Sequence, residues 1–503
     1  MAEREGKFTK KQIINAWCMY DWANSAFATT IMAAVLPVYY SAVAGSTLPS
    51  QATATQYWSL GLSLSLLVVA LLSPILGTIS DVSRSKKRFL ATFAGLGVFG
   101  TGLLVLVGEG DWLMASIFFV MGRIGFTSAN VFYDALLPHV VSSSEEQDRV
   151  SARGYAMGYL GGGLLLAVNV VMINLLPGTW GSRLSFLSVA IWWAIFTIPV
   201  LRRVAEPPSA AEPLAPGANA IAASFRQLKE VLADIRRYRE LFKYLVAFLI
   251  YNDAIGTIIG VASIYGAELG FDSVQLVLAL LLVQFVGIPF SLIFGRLPSK
   301  SEPRRPQFLA FIVFNLVALP LTGVIGGRLL IDPGIGAILG VIGAVEGVGV
   351  LFSLLLGRPL FSKLANTFDT RRSIILSLIV YAVIAVWGYI LNTVLEFWLL
   401  AWMVAVVQGG SQALSRSLYA SMSPAAKSGE FFGLFGVMEK FSAILGPLVF
   451  AGAVAIFGNS RPAVLSLIVF FIVGIVLLRL VDIDEGVRVA REEDARAGIR
   501  RPA

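Results

Sequence analysis

The sequence predicts an all-α polytopic membrane protein with about fourteen spans, each of roughly 20 residues or more. Three observations predict it. Of the 503 residues, 57% are hydrophobic and only 14% are charged, whereas a soluble domain is about a quarter charged. Apolar runs of spanning length recur along almost the whole chain, and runs such as "LIVYAVIAVWGYIL" lack the period-2 alternation of barrel strands. Lipid offers no partner to a backbone amide, so such runs must close their own hydrogen bonds as helices. The third observation is charge. One set of loops carries "REGKFTKK", "SRSKKR", "RRYRELFK", "SKSEPRR", "FDTRR" and the tail "RVAREEDARAGIRR". The alternate loops carry little beyond Arg183, Arg328 and Arg461. That alternation holds across all the spans and predicts both termini on the cytoplasmic side.

The runs lie at roughly 13–43, 57–80, 89–108, 112–134, 153–176, 184–201, 241–266, 274–297, 307–326, 335–357, 373–392, 396–416, 431–456 and 463–481. The first is too long for a signal-peptide apolar region and lacks a cleavage site at the right distance, so it reads as a retained helix. The net charge of +8 follows from the basic loops rather than from an affinity for nucleic acid. A single cysteine, Cys18, excludes an internal disulfide, and a single histidine, His139, excludes a multi-histidine metal site. His139 reads as an ordinary interfacial histidine. The run "GYLGGG" lacks the Gly-Lys-Ser/Thr ending and the preceding strand of a phosphate loop; close helix packing explains it. No nucleophile–base pair, nucleotide loop or metal cluster suggests an enzyme, and no cofactor is expected.

Residues 206–219, "EPPSAAEPLAPGAN", form a Pro/Ala-rich linker. Ile221, Phe225, Leu228, Leu232 and Ile235 then recur at helical spacing, with Arg226, Lys229, Arg236 and Arg237 off that stripe. This predicts an amphipathic helix on the inner membrane face or against the bundle. The expected divisions are 1–205, a six-helix bundle; 206–240, the linker; 241–481, a second bundle; and 482–503, a cytoplasmic tail.

The two bundles echo each other. Tyr20-Asp21 opens the first and Tyr251-Asn252-Asp253 the second. "YDALLP" (Tyr133 to Pro138) is matched by "YASMSP" (Tyr419 to Pro424). Each leads through a loop into a glycine-spaced helix, with Gly154, Gly158 and Gly161 in one and Gly433, Gly436 and Gly446 in the other. Two parallel repeats of six helices with a site between them are the architecture of the major facilitator superfamily. The loop "GTISDVSRSKKR" matches that superfamily's signature in part, through Gly77, Asp81, Lys86 and Lys87, and departs from it at Val82 and Arg84.

Six segments in order, "YDWANSAFATTIM", "FYDALLPHV", "YAMGYLGGGLLL", "FLIYNDAIGTI", "QGGSQALSRSLYASMSP" and "GEFFGLF", resemble the vacuole-effluxer-like family of the superfamily. That family includes autophagy-linked vacuolar amino-acid exporters of fungi and many bacterial permeases. The resemblance spans roughly 13–201 and 241–481. It implies a secondary transporter. The expected partners are membrane lipid, a small-molecule substrate and protons, and the chain is expected as a monomer in a bacterial inner membrane. A superfamily member normally has twelve spans. The two extra runs, about 300–360 with their flanks, are expected to form an inserted peripheral hairpin. Glu346 within it should turn toward protein as a neutral, hydrogen-bonded carboxyl.

Ionisable groups inside spans mark ion or substrate pathways. Helix rise places Asp21 about 10–12 Å into its span and Asp253 about 18 Å into its own. Either is expected to exchange protons for coupling, or to hold the fold through a hydrogen bond to a neighbouring helix. Asn24 and Asn252 are expected to orient these carboxylates or bind substrate. Arg123, about 16 Å into the fourth span, must pair with a carboxylate; the expected partner is Asp21 or Asp253, the alternative a substrate. Arg416, with Gln412, is expected either to clamp the cytoplasmic gate or to anchor at the interface. Gly77–Lys87 is expected to close that gate. Glu439 and Lys440 point about 100° apart and are not expected to pair with each other; Lys440 is expected to reach Asp81 or another acid. The reading is an alternating-access transporter of a small polar solute, with amino-acid efflux foremost. Uptake, lipid movement, and a non-transporting receptor on the same fold are the alternatives.

Overall fold

A computed structural model describes residues 8–49, 51–141, 143–208, 237–330, 333–442, 445–458 and 460–498. The predicted amphipathic helix after residue 220 lies outside them. Fourteen helices among the described residues are long and apolar enough to cross a membrane. In chain order they are α1 Lys10–Ala44, α2 Leu60–Val82, α3 Lys86–Leu106, α4 Trp112–Val140, α5 Ser144–Leu175, α6 Trp180–Arg203, α7 Arg239–Ala262, α8 Leu278–Arg296, α9 Arg305–Leu329, α10 Ile335–Ala365, α11 Thr370–Ile390, α12 Val394–Met422, α13 Ala425–Phe457 and α14 Ser460–Arg479. A short amphipathic helix, α15 (Ile483–Arg496), follows.

Local chemistry sets several boundaries. Thr9 and Gln12 form a capping box at the start of α1, and Thr393 and Glu396 form another at α12; each satisfies two orphan amide donors. α1 is not uniform. Its α-helical part ends at Ala26 and it continues through π-helical turns at Phe27–Ala34 and Tyr40–Ala44. A π turn shifts the helix face by about one residue, a device found at functional sites. It lets α1 face α4 along most of its length, from Trp17 against Tyr133 to Tyr40 against Ser116.

α1–α6 form one half; α7, α8 and α11–α14 form the other. The halves meet chiefly through α2 against α13, α5 against α8, and α5 against α12. Small residues permit these approaches. A methyl at Gly77 would collide with the backbone of Gly429, and one at Gly295 with Ala152.

α9 and α10 make the inserted hairpin. They pack on each other and, through α9, on α12. Gly349 sits against Phe311 and Phe314, and Gly323 receives Trp387. Arg305 Nε donates to Leu297 O at 2.8 Å and Nη2 to Phe368 O at 2.6 Å. These carbonyls stand just before and just after the insertion, so one side chain ties its two ends together. Glu346 turns inward as expected, where Asn315 Nδ2 reaches its Oε2 at 3.5 Å. The opposite face of α10, with Leu351, Leu354 and Leu355, is exposed and suits lipid.

α15 docks under the second half. Lys427 pairs with Glu493 at 2.9 Å, and Arg237 pairs with the same carboxylate. Burial alone would push the Glu493 carboxyl up, but Lys427 and Arg237 outweigh it and hold it below the usual carboxylate range.

Candidate functional site

A buried arginine holds the halves together near the end of the bundle that carries both termini. Arg416 of α12 extends from the second half into the first. Its Nη2 donates to Asp21 Oδ2 at 3.2 Å and to Ser151 O at 3.0 Å; Nη1 donates to Asp134 Oδ1 at 3.1 Å; Nε donates to Ser151 Oγ at 2.9 Å. Aromatic faces enclose the guanidinium: Tyr155 at 4.5 Å, Trp17 at 4.9 Å and Tyr133 at 5.6 Å. The Tyr133 hydroxyl donates to Asp21 Oδ2 at 2.8 Å, and Trp17 Nε1 donates to Tyr133 O at 3.2 Å. Planar, five-donor arginine suits such a site; lysine would reach one carboxylate at a time. Gly154 makes room, since a methyl there would strike the Asp21 carboxylate and Arg416.

More polar bonds cross between the halves at this same end. Asp81 accepts from Gly429 N at 3.2 Å and Glu430 N at 2.7 Å. It thus caps the Ser428–Phe441 segment of α13, where an anion is favoured by the helix dipole, and it also pairs with Lys86. Asp148 accepts from Thr370 Oγ1 at 2.6 Å and from the Ser417 hydroxyl. Ser151 donates to Ala413 O at 2.8 Å, and His139 bonds Ser428 at 3.0 Å. Lys87 lies beside this seal; its amide donates to Glu206, whose carboxyl is pushed up by burial.

Above the seal the two halves present polar side chains at mid-height. Asn24 donates to Asn130 at 2.6 Å on one side. On the other, Gln412 donates to Asn252 at 2.9 Å and Asn252 to Ser442 at 2.8 Å. Beyond Asn252 on the same face of α7, a methyl at Gly256 or Gly260 would meet nothing within 4 Å. The gap between the halves is therefore closed at the end with the termini and widens toward the other.

Two expectations are corrected. Arg123 pairs with neither Asp21 nor Asp253. Its Nη1 approaches Met32 Sδ at 3.1 Å, its Nε is buried without a partner, and among the described residues no carboxylate lies within ion-pairing distance of it. The Asp21 it was expected to meet is taken by Arg416, about three helical turns away along α4. Glu439 and Lys440 do pair, at 2.7 Å, because long side chains can curl back over the 100° between neighbours. Lys440 thus reaches another acid rather than Asp81, which Lys86 already holds. Asp253 is fully buried; its Oδ2 accepts from Gly446 N at 2.6 Å, and its Oδ1 has no hydrogen-bond partner among the described residues. Arg416 takes the clamp geometry rather than the interfacial one.

Sequence reasoning passed over Asp134, Asp148, Ser151 and Tyr155. One signal was available: Tyr133-Asp134 repeats the Tyr20-Asp21 pair, and the two pairs converge on one guanidinium. Nothing local marks Ser151 or Tyr155.

The profile described as "Vacuole effluxer Atg22 like" matches residues 46–346 and 337–491. The chain belongs to this family. A relative in Bacillus subtilis (strain 168), the "uncharacterized MFS-type transporter YxiO", is 32% identical over 97% of this chain and 98% of that protein. "Autophagy-related protein 22" of Kluyveromyces lactis is 23% identical over 86% of this chain and 80% of its own length. Among solved structures, the proton:xylose symporter XylE aligns at a TM-score of 0.58 with 13% identity, covering 97% of this chain and 98% of XylE. The E. coli fucose:proton symporter FucP aligns at 0.57 with 11% identity, covering 94% and 98%. These two likenesses concern the fold. This effluxer-family chain is an integral, multi-pass major facilitator transporter with a small-molecule substrate, and not an enzyme.

Proposed function

We propose that this transporter exports amino acids by alternating access in exchange for protons, with its two halves rocking about a site at mid-height. One observation carries the reading: Arg416 of one half is bonded to Asp21 and Asp134 of the other. With all three charged, the trio carries one excess negative charge, which a single proton neutralises. Protonating Asp21 or Asp134 weakens that carboxylate's hold on Arg416, so a proton bound at the clamp favours its opening. The clamp, the Asp81 cap and the Asp148 bonds then act as one gate. The basic end is cytoplasmic by its charge, and the membrane is the bacterial plasma membrane. The divisions at 1–205, 206–240, 241–481 and 482–503 are part of the same reading, with a monomer as the working unit. The family description as an effluxer supports outward movement, and the naming of XylE and FucP as proton symporters supports coupling on this fold.

The test is reconstitution into vesicles with a panel of labelled amino acids, sugars and organic ions, with and without an imposed proton gradient. Gradient-dependent amino-acid flux is expected. Flux of sugars or organic ions alone removes the amino-acid assignment, and amino-acid flux indifferent to the gradient removes the coupling.

A further inference from the structure

Two charged side chains at mid-height take no part in the gate. Arg123 on α4 belongs to the first half, Glu439 on α13 to the second. Arg123 keeps a buried Nε without a partner and turns its Nη1 to a thioether, a poor acceptor. A guanidinium cannot shed its proton, and a buried charge without a counter-ion is among the most costly arrangements a span can hold. Within the chain, the two acids expected to meet it are engaged elsewhere: Asp21 by Arg416 and Asp253 by Gly446.

Glu439 is the complementary case. Its side chain is 46% exposed although it lies well inside α13. α13 meets α4 of the first half at Gly436, one turn before Glu439, so this carboxylate stands beside the seam between the halves. Lys440 holds Oε2 at 2.7 Å. Gly436, one turn earlier on α13, comes close to Val131 of α4, its would-be Cβ lying 2.9 Å from Val131 Cγ2. The same two helices therefore carry both charges past a shared contact. Arg123 and Glu439 are near enough to feel each other and not within 4.0 Å.

We propose that Arg123 and Glu439 are the two poles of a binding site for a zwitterion whose carboxylate and ammonium sit on one carbon. The guanidinium takes the carboxylate in a bidentate fork, and Glu439 Oε1 takes the ammonium. Neither is a coupling group. A zwitterion of this kind fits between opposite charges that are apart but in electrostatic range, and it bridges the halves where the gap is widening. Its binding draws the outer ends together, and in a rocking molecule that motion opposes the Arg416 clamp at the other end. The inference rests on the amino-acid reading above and adds where, and by which charges, the substrate is held.

The test uses the full chain in vesicles. The amino acid transported best by the wild-type protein is compared with its methyl ester, which lacks the carboxylate charge, and with its des-amino acid, which lacks the ammonium. Each competes for uptake into vesicles at equal pH on both sides. The wild type is expected to be inhibited strongly by the amino acid and weakly by both analogues. Glu439→Gln is expected to lose at least tenfold in affinity for the amino acid and little for the des-amino acid. Arg123→Gln is expected to lose affinity for both acids and little for the ester. Melting temperature in detergent reports whether each variant is folded; for a variant that fails to fold, Glu439→Asp or Arg123→Lys takes its place, with the same pattern in weaker form. Equal losses for all three compounds in either variant, or no loss in both, overturn the site while leaving amino-acid transport standing. A wild-type protein that carries no amino acid overturns the substrate reading as well.

Discussion

Arg416 and Arg123 are both guanidiniums inside membrane spans, and they are treated in opposite ways. Arg416 is enclosed by two carboxylates, a serine and three aromatic rings. Arg123 has a sulfur atom and an unpartnered Nε. A satisfied charge is a fastener, since removing either partner strands the other in low dielectric. An unsatisfied one is a receptor, since its stabilisation must come from something that arrives. The distinction lies in the partners, which helix packing decides, and not in the residue type or its depth.

The largest effect that would sharpen this contrast is at the fastener. Arg416→Gln leaves Asp21 and Asp134 facing each other, a change of about 3–5 kcal/mol for a buried ion pair that loses one member. Loss of flux together with a clear drop in melting temperature in detergent is the expected outcome; a variant that melts like the wild type breaks the comparison. The opposite pattern is expected at the receptor. Arg123→Gln removes a charge that lacks a partner in the chain, so its melting temperature should be equal to or above that of the wild type. Substrate affinity should still fall by about 2–5 kcal/mol, the range for a truncated buried charge pair. A strong drop in melting temperature would show that Arg123 fastens too.

A smaller effect separates the two acids that open the halves. Asp21→Asn keeps a group that accepts from Tyr133 but loses the titratable charge. Gradient-driven flux should fall by about tenfold or more, while exchange at equal pH stays within about threefold, the signature of a lost step rather than lost binding. Asp253→Asn should leave the gradient dependence intact and cost only about 0.5–2 kcal/mol for a weakened helix cap. The reverse result would move the coupling site to the second half.

The smallest effect is in the tail. Glu493 is held below its ordinary value by Lys427 and Arg237 against burial. Its contribution to docking α15 is complete above the ordinary glutamate pKa, about 4.3, and is lost as pH falls through the lower folded value. Amide protection across Ile483–Arg496, corrected for the intrinsic pH dependence of exchange, should therefore fall on acidification below that point and stay constant above it.

Much of the architecture was legible because lipid leaves few options. Span lengths, the alternation of Arg and Lys between loops, and the even-numbered insertion each constrain the fold without knowledge of contacts. Asp81 was legible as a member of the Gly77–Lys87 gate signature, within which it caps α13 and pairs with Lys86. The partners of Arg123, Asp253 and Glu439 were not readable. Depth along a helix says how far in a residue lies but not its azimuth, and the π turns of α1 rotate that azimuth after Ala26. The clamp shows the same limit. Arg416 lies 395 positions from Asp21 in the chain, and only the packing of α12 on α5, which itself packs on α1, brings them together.

The mooring of the hairpin by Arg305 has a mechanical corollary. A pair of helices moored at its root and packed on α12 travels as an outrigger with the half that bears it. That half sweeps a broader front of bilayer when the molecule rocks, and viscous drag grows with the front. The six-helix half is thus the lighter oar, and most of the swing relative to the surrounding lipid falls to it.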